Sequence, residues 1–238
     1  MTPDGPDPDG GAAGRLLVSL QLTDSAFPSG FYTLSHGLEG YAQAKEVTAE
    51  EVPGLLADLL RHGVGPSDAT ALALAHGAAV RGDDRALAAV DRRLYATKLN
   101  EGTRRAATRT GRQFLDLTLE CLGGPPLERY ARLVAEQGSP GCQAVAVGVA
   151  YAAAGVPAHQ AVVSDLFAFS ASFVGAALRL RLTDHRRAQL VLRRTAPVMA
   201  EVAAAALRRG LADLGGCVPL ADVMSARHER AEARLFAT

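Results

Sequence analysis

From Arg15 onward, apolar residues recur at helical spacing, and glycine or proline breaks each run. Leu34, Leu38 and Tyr41 fall at i, i+4 and i+7, and Leu55, Leu56, Leu59 and Leu60 form one stripe. Such spacing lays an apolar face along a helix. No segment alternates apolar and polar residues between turn signals, as a half-buried strand would. Aromatic residues make up only 5% of the chain and Trp is absent, so the core must come from Leu, Val and Ala. Alanine is the strongest helix former. The pattern excludes an all-β chain and predicts a single all-α domain of roughly ten helices with short connections.

The punctuation divides that domain. A helix from Arg15 ends at Pro28-Ser29-Gly30, where Gly30 is expected to need a positive φ. A second covers Thr33 to Lys45 and contains Glu39. Thr48 and Glu51 have capping-box spacing, with Pro53 in the first turns. Gly65-Pro66-Ser67-Asp68 reads as the start of a further helix, and Gly82-Asp83-Asp84 as its end. Residues 84–122 read as one or two long helices with a weak point at Asn100–Gly102. Asp184 is placed to cap a later helix.

Residues 1–14 are rich in Pro, Gly and Asp and carry neither a basic nor an apolar leader region. They predict a flexible tail before a domain at 15–238, and a cytoplasmic protein. Residues 137–164 contain no Lys, Arg, Asp or Glu. The strongly apolar part, Ala144 to Val156, is shorter than the roughly 20 residues of a membrane span. Two buried helices meeting at Gly155-Val156-Pro157 are expected there.

Chemistry is hard to locate. Lys plus Arg and Asp plus Glu are 25 each, so nothing draws the whole chain to nucleic acid or anionic lipid. Cys121, Cys142 and Cys217 are widely spaced and suit neither a disulfide framework nor zinc. The six histidines lack H-x-x-x-H spacing, and no phosphate loop, dinucleotide fingerprint or nucleophile elbow is present. The reading is therefore non-enzymatic, without cofactor or metal.

Three local features stand out. Asp24, Ser25, Pro28, Ser29 and Gly30 form a turn between helices, which capping alone largely explains. Arg105, Arg109 and Arg112 fall at i, i+4 and i+7; such a row is a solvated face or a partner contact. The chain closes on Arg234-Leu235-Phe236-Ala237-Thr238, although termini are normally polar and frayed. Leu235 and Phe236 must dock either on the chain's own core or on a partner. Arg227 and Arg234, seven residues apart, would share a helical face and can offer bidentate hydrogen bonds. The segment is expected to be mobile alone and to order on a partner.

Together these features resemble the urease accessory protein UreF family. Asp24-Ser25, Pro28 and Gly30, followed by Ser35, Gly37, Leu38 and Glu39, are similar to its D-S-x-x-P-x-G…S-x-G-L-E signature. Thr108 to Leu117 resembles a T-x-T-G-R block, and the apolar run up to Pro157 a V-x-F-G segment before a turn. The most specific match is the close S-M-R-H-E…S-R-L-F, carried here by Ser225, Arg227, His228, Glu229, Arg234, Leu235 and Phe236. Departures fall at Leu34, Val147, Ala226, Glu232 and Ala237.

The resemblance implies an all-helical protein without an active site. It implies partners: UreD (also called UreH), the GTPase UreG, apo-urease and a second copy of the chain. It implies a role in nickel insertion through modulation of UreG. By the same resemblance, Ser25, Gly30, Glu39, Arg227, His228, Glu229, Arg234, Leu235 and Phe236 would serve partner binding. The competing readings are an all-helical DNA-binding regulator and a nickel carrier.

Overall fold

The computed structural model describes residues 8–28 and 31–237, with side chains from residue 11. Every regular element among them is helical. In chain order these are α1 (Pro8–Thr23), α2 (Leu38–Ala44), α3 (Val52–Asp58), α4 (Thr70–Arg81), α5 (Asp84–Thr97) and α6 (Glu101–Cys121). There follow α7 (Pro125–Ala135), α8 (Gln143–Ala153), α9 (Ala158–Arg179), α10 (His185–Ala206) and α11 (Pro219–His228). They form a single helical domain, as the periodicity predicts.

The centre of the domain is α8, whose residues from Gln143 to Tyr151 are all buried. Its small side chains let α4, α6, α7 and α9 pack around it. Contact with α4 is especially close. A Cβ on Gly148 would stand 2.6 Å from the Leu72 carbonyl oxygen and 3.2 Å from Ala75. The chain turns from α8 into α9 at Gly155, whose φ of 67° favours glycine. Helix α9 is long and apolar enough to cross a membrane by length and composition, and 56% of its most apolar window is buried within the domain.

A buried carboxylate fixes the entry to α8. Asp91, fully buried on α5, accepts from Tyr130 Oη at 2.8 Å, Ser139 Oγ at 2.5 Å, Gly141 N at 2.7 Å and Cys142 N at 3.0 Å. A buried charge is tolerated only when so fully hydrogen-bonded. This one side chain ties α5, α7 and the 139–142 loop together.

Several boundaries agree with the sequence. The weak point in residues 84–122 is a real break between α5 and α6 at residues 98–100. Asp184 accepts from Arg187 N at 2.9 Å at the start of α10. Glu51 accepts from Thr48 N and Oγ1, both at 2.8 Å, before α3.

Others differ for identifiable reasons. Helix α2 begins at Leu38, not Thr33, because His36 and Gly37 have φ of 55° and 86°. The expected break at Gly65-Pro66 is no break. Residues Leu59–Ala69 form a π-helix with Pro66 inside it, joining α3 to α4. Proline removes a donor and crowds the preceding turn. The wider helix relieves this, and hydroxyls of the next turn occupy its carbonyls: Ser67 Oγ donates to Gly63 O at 2.6 Å and Thr70 Oγ1 to Gly65 O at 2.9 Å. Residues 8–14, expected as tail, are the first turns of α1, where Ala12 and Ala13 favour helix and residues 11–14 stay exposed. Residues 1–7 of that tail lie outside the described residues.

Candidate partner-binding surface

The C-terminal segment is not loose. Helix α11 packs on α2, and the chain beyond it folds back across α2 onto Glu39. Glu39 is 4% exposed. Its Oε2 lies 2.6 Å from His228 Nε2 and accepts from Phe236 N at 3.0 Å. Its Oε1 accepts from Leu235 N at 2.8 Å and Gln43 Nε2 at 3.3 Å. Four donors thus meet one buried carboxylate.

Other groups hold the same segment. The Phe236 ring is buried, with the Arg179 guanidinium 4.2 Å from its centroid. Arg179 also stacks 4.0 Å over Tyr32 and donates to the Tyr32 carbonyl at 2.5 Å. Such cation–π stacking stabilises by about 0.5–2 kcal/mol. Ala237 N donates to Thr33 O at 2.8 Å, and Gln43 Nε2 to Ala233 O at 3.1 Å.

This geometry corrects the expectation of a mobile segment ordered only by a partner. Phe236 packs into the chain's own core. What the segment offers outward is different: Arg227 and Arg234 are exposed, and Leu235 is 64% exposed. The fold-back leaves Leu235 outside and Phe236 inside at two consecutive bends of the chain. It also separates Arg234 from the helical face expected for it, since α11 ends at His228.

The remaining sequence-predicted residues divide. His228 belongs to the buried cluster. Glu229 turns the other way, its Oε1 accepting from Gly102 N in the first turn of α6, where a carboxylate suits the free amides and the helix dipole. Ser25 is exposed in the turn after α1, a turn closed by Asp24 Oδ1 accepting from Ala26 N at 2.7 Å. That turn is anchored by Phe27, whose ring lies 5.4 Å from that of Phe114. Gly30 lies outside the described residues.

Sequence reasoning missed Arg179 and Gln43, single residues with no local motif around them. It also missed a cavity of about 230 Å³ bordered by His36, Asp68, Lys98, Gln143, Asp165 and Phe169. Lys98 Nζ and Asp68, both on its border, form an ion pair at 2.6 Å. Burial pushes the Asp165 carboxyl up to about 7, opposed by a hydrogen bond from the Gln143 amide. Burial likewise lowers His36 to about 4; its Nε2 is 2.9 Å from Ser172 Oγ. These residues come from segments far apart in sequence, two of them (His36 and Lys98) outside the helices, so no spacing announces them. Among the described residues, no group of three or more His, Cys, Asp or Glu is placed to hold a metal ion.

Comparison with known proteins decides the family. The UreF family model matches residues 47–196, more than half of the chain. The chain belongs to the UreF family. It is 36% identical to urease accessory protein UreF of Methylobacterium sp. (strain 4-46) over 221 residues, covering 92% of this chain and 87% of that protein. It is 31% identical to UreF 2 of Brucella canis over 226 residues, covering 93% and 91%. With UreF of Trichodesmium erythraeum the identity is 30% over 223 residues, covering 93% and 96%. The UreF family match begins after Glu39 and ends before α11, so it stands independently of the two signature ends joined in the buried cluster.

Proposed function

We propose that this chain is a non-enzymatic accessory subunit of urease maturation. It binds UreD (UreH), recruits the GTPase UreG and modulates its hydrolysis of GTP. In that assembly it supports nickel insertion into apo-urease, acting in the cytoplasm as a homodimer. Membership of the UreF family carries the reading. The docked C-terminal segment supports it locally, because a rigidly held strip that exposes Arg227, Arg234 and Leu235 loses little ordering entropy on binding. Glu39, His228, Glu229 and Phe236 then act on partners indirectly, by holding that strip in place. Ser25 and Gly30 are carried as partner-binding residues by the family resemblance alone.

Co-purification with UreD and UreG from the same source tests it. The full chain is expected to retain UreD, and the pair to retain UreG and support urease activation. The double variant Arg234→Glu, Leu235→Asp should keep its helical content and lose UreD. Failure of the unaltered chain to retain UreD, or full activation by the double variant, would overturn the reading.

A further inference from the structure

Between α6 and the C-terminal segment lies a groove of about 760 Å³. Arg105, Arg109 and Arg112 border it from α6 and Arg234 from the C-terminal segment, above Ala106 and Phe236. The two apolar residues are buried, whereas Arg105, Arg109, Arg112 and Arg234 are all exposed. Because the chain as a whole carries no net charge, this clustering is a local excess.

The α6 guanidinium groups are lightly held. Arg109 Nη2 donates to Thr33 Oγ1 at 3.3 Å, and Arg112 Nη2 to Pro140 O at 3.4 Å. Arg105 stands 3.7 Å from Glu101 with both side chains mostly exposed, a pair of little energetic weight. All three retain donors for a further acceptor, since each guanidinium has five.

Spacing then selects the acceptor. Positions i, i+4 and i+7 of a helix rise by about 6 and 10.5 Å. Alternate residues of an extended chain are about 6.6 Å apart. An extended segment with carboxylates at every second residue matches the first step of the row, and its third carboxylate, about 13 Å along, is within reach of the long Arg112 side chain. A long polyanion does not fit, because the row is closed by acids on the same face. Glu101 is four residues before Arg105, and Asp116 is four residues after Arg112.

We propose that this groove receives an acidic segment of a partner protein. The segment lies extended along α6, with alternate carboxylates on Arg105, Arg109 and Arg112, and Arg234 facing it from the other wall. The proposal rests on the accessory-subunit reading for the existence of a partner, and adds the chemistry by which one surface recognises it.

The test is fluorescence anisotropy on the full chain with a labelled octapeptide alternating Asp and Ser. Controls are the same peptide with Asn for each Asp, a short DNA duplex, and inorganic phosphate as competitor. The acidic peptide is expected to bind about tenfold more tightly than the Asn peptide, and to weaken with salt. Arg105→Glu combined with Arg109→Glu, both surface changes checked by circular dichroism, should lose about tenfold. Unchanged binding by that variant overturns the proposal. So does tighter binding of the duplex, or displacement by phosphate alone at comparable concentration. No urease protein enters this measurement, so its failure leaves retention of UreD and UreG untouched, and failure of that retention leaves this measurement untouched.

Discussion

His228 Nε2 lies 2.6 Å from Glu39 Oε2 across 189 residues of sequence, with 1% and 6% of the two side chains exposed. The pair joins α2 to the end of α11, and the backbone amides of Leu235 and Phe236 complete the carboxylate's shell. Glu39→Ala removes the acceptor for all of these donors. Breaking a buried, hydrogen-bonded pair costs about 3–5 kcal/mol. Chemical denaturation should show that loss, and trypsin should cleave faster at Arg230 and Arg234. Deleting Arg227 to Thr238 should lower the melting temperature too, because Phe236 leaves the core. A variant as stable and as protease-resistant as the parent would show that the cluster holds nothing.

Asp91 offers a test remote from the partner surface. Asp91→Ala leaves Tyr130 Oη and the amides of Gly141 and Cys142 buried without their acceptor. A loss of about 3–5 kcal/mol is expected. Asp91→Asn keeps part of the network and should lose less. Urea denaturation midpoints ranked parent, Asn, Ala would support this; equal midpoints for all three would refute it.

Two glycines should respond in opposite directions. Gly148→Val drives side-chain atoms into α4, since a Cβ would already lie 2.6 Å from Leu72 O. Little folded protein should be recovered. A Cβ added to Gly175, inside α9, would meet nothing within 4 Å, so Gly175→Ala should be neutral or stabilising by up to about 1 kcal/mol. Thermal melts of the two variants decide the matter, and a destabilised Gly175→Ala would mean that α9 has a neighbour there.

The cavity predicts two opposing pH dependences. Asp165 titrates near 7 in the folded chain against an ordinary 3.8. Between those values the folded state holds a proton that the unfolded state has released, so this residue makes stability fall as pH rises. His36 titrates near 4 against an ordinary 6.5, so over that interval the unfolded state binds more protons and stability rises with pH. In the parent the slopes offset between about pH 4 and 6.5. Asp165→Asn should expose the rising limb and His36→Gln the falling one. Denaturation midpoints taken across that range would contradict the assignment if both variants followed the parent. Asp68, Lys98 and Arg179 also act on His36, so the comparison is best made at one salt concentration.

Much of the helical framework is legible because periodicity and punctuation are local signals. Asp184 capping α10 and the break at residues 98–100 follow from neighbours in sequence. Pro66 misleads because the same residue can end a helix or widen it, and hydroxyls from Ser67 and Thr70 tip the balance. At the candidate site, Glu39, His228 and Phe236 stand out through resemblance to a family. Their mutual contact is not visible, since no local pattern links residues so far apart. The terminal aromatic can be read as needing a dock, but not as docking on its own domain. Arg179 supplies the missing half of that decision, from the last turn of α9.

The tie between α2 and the C-terminal segment has a consequence for biosynthesis. Ribosomes add about 5–20 residues per second. Some 10–40 seconds therefore separate the synthesis of Glu39 from that of His228, the donor 189 residues away. Through that interval the Glu39 carboxylate, destined for burial, has only the Gln43 amide to meet it and lacks its three C-terminal donors. A nascent chain that stalls short of α11 retains an unsealed α2 and remains open to proteases. Closure of the cluster therefore waits until translation has passed His228.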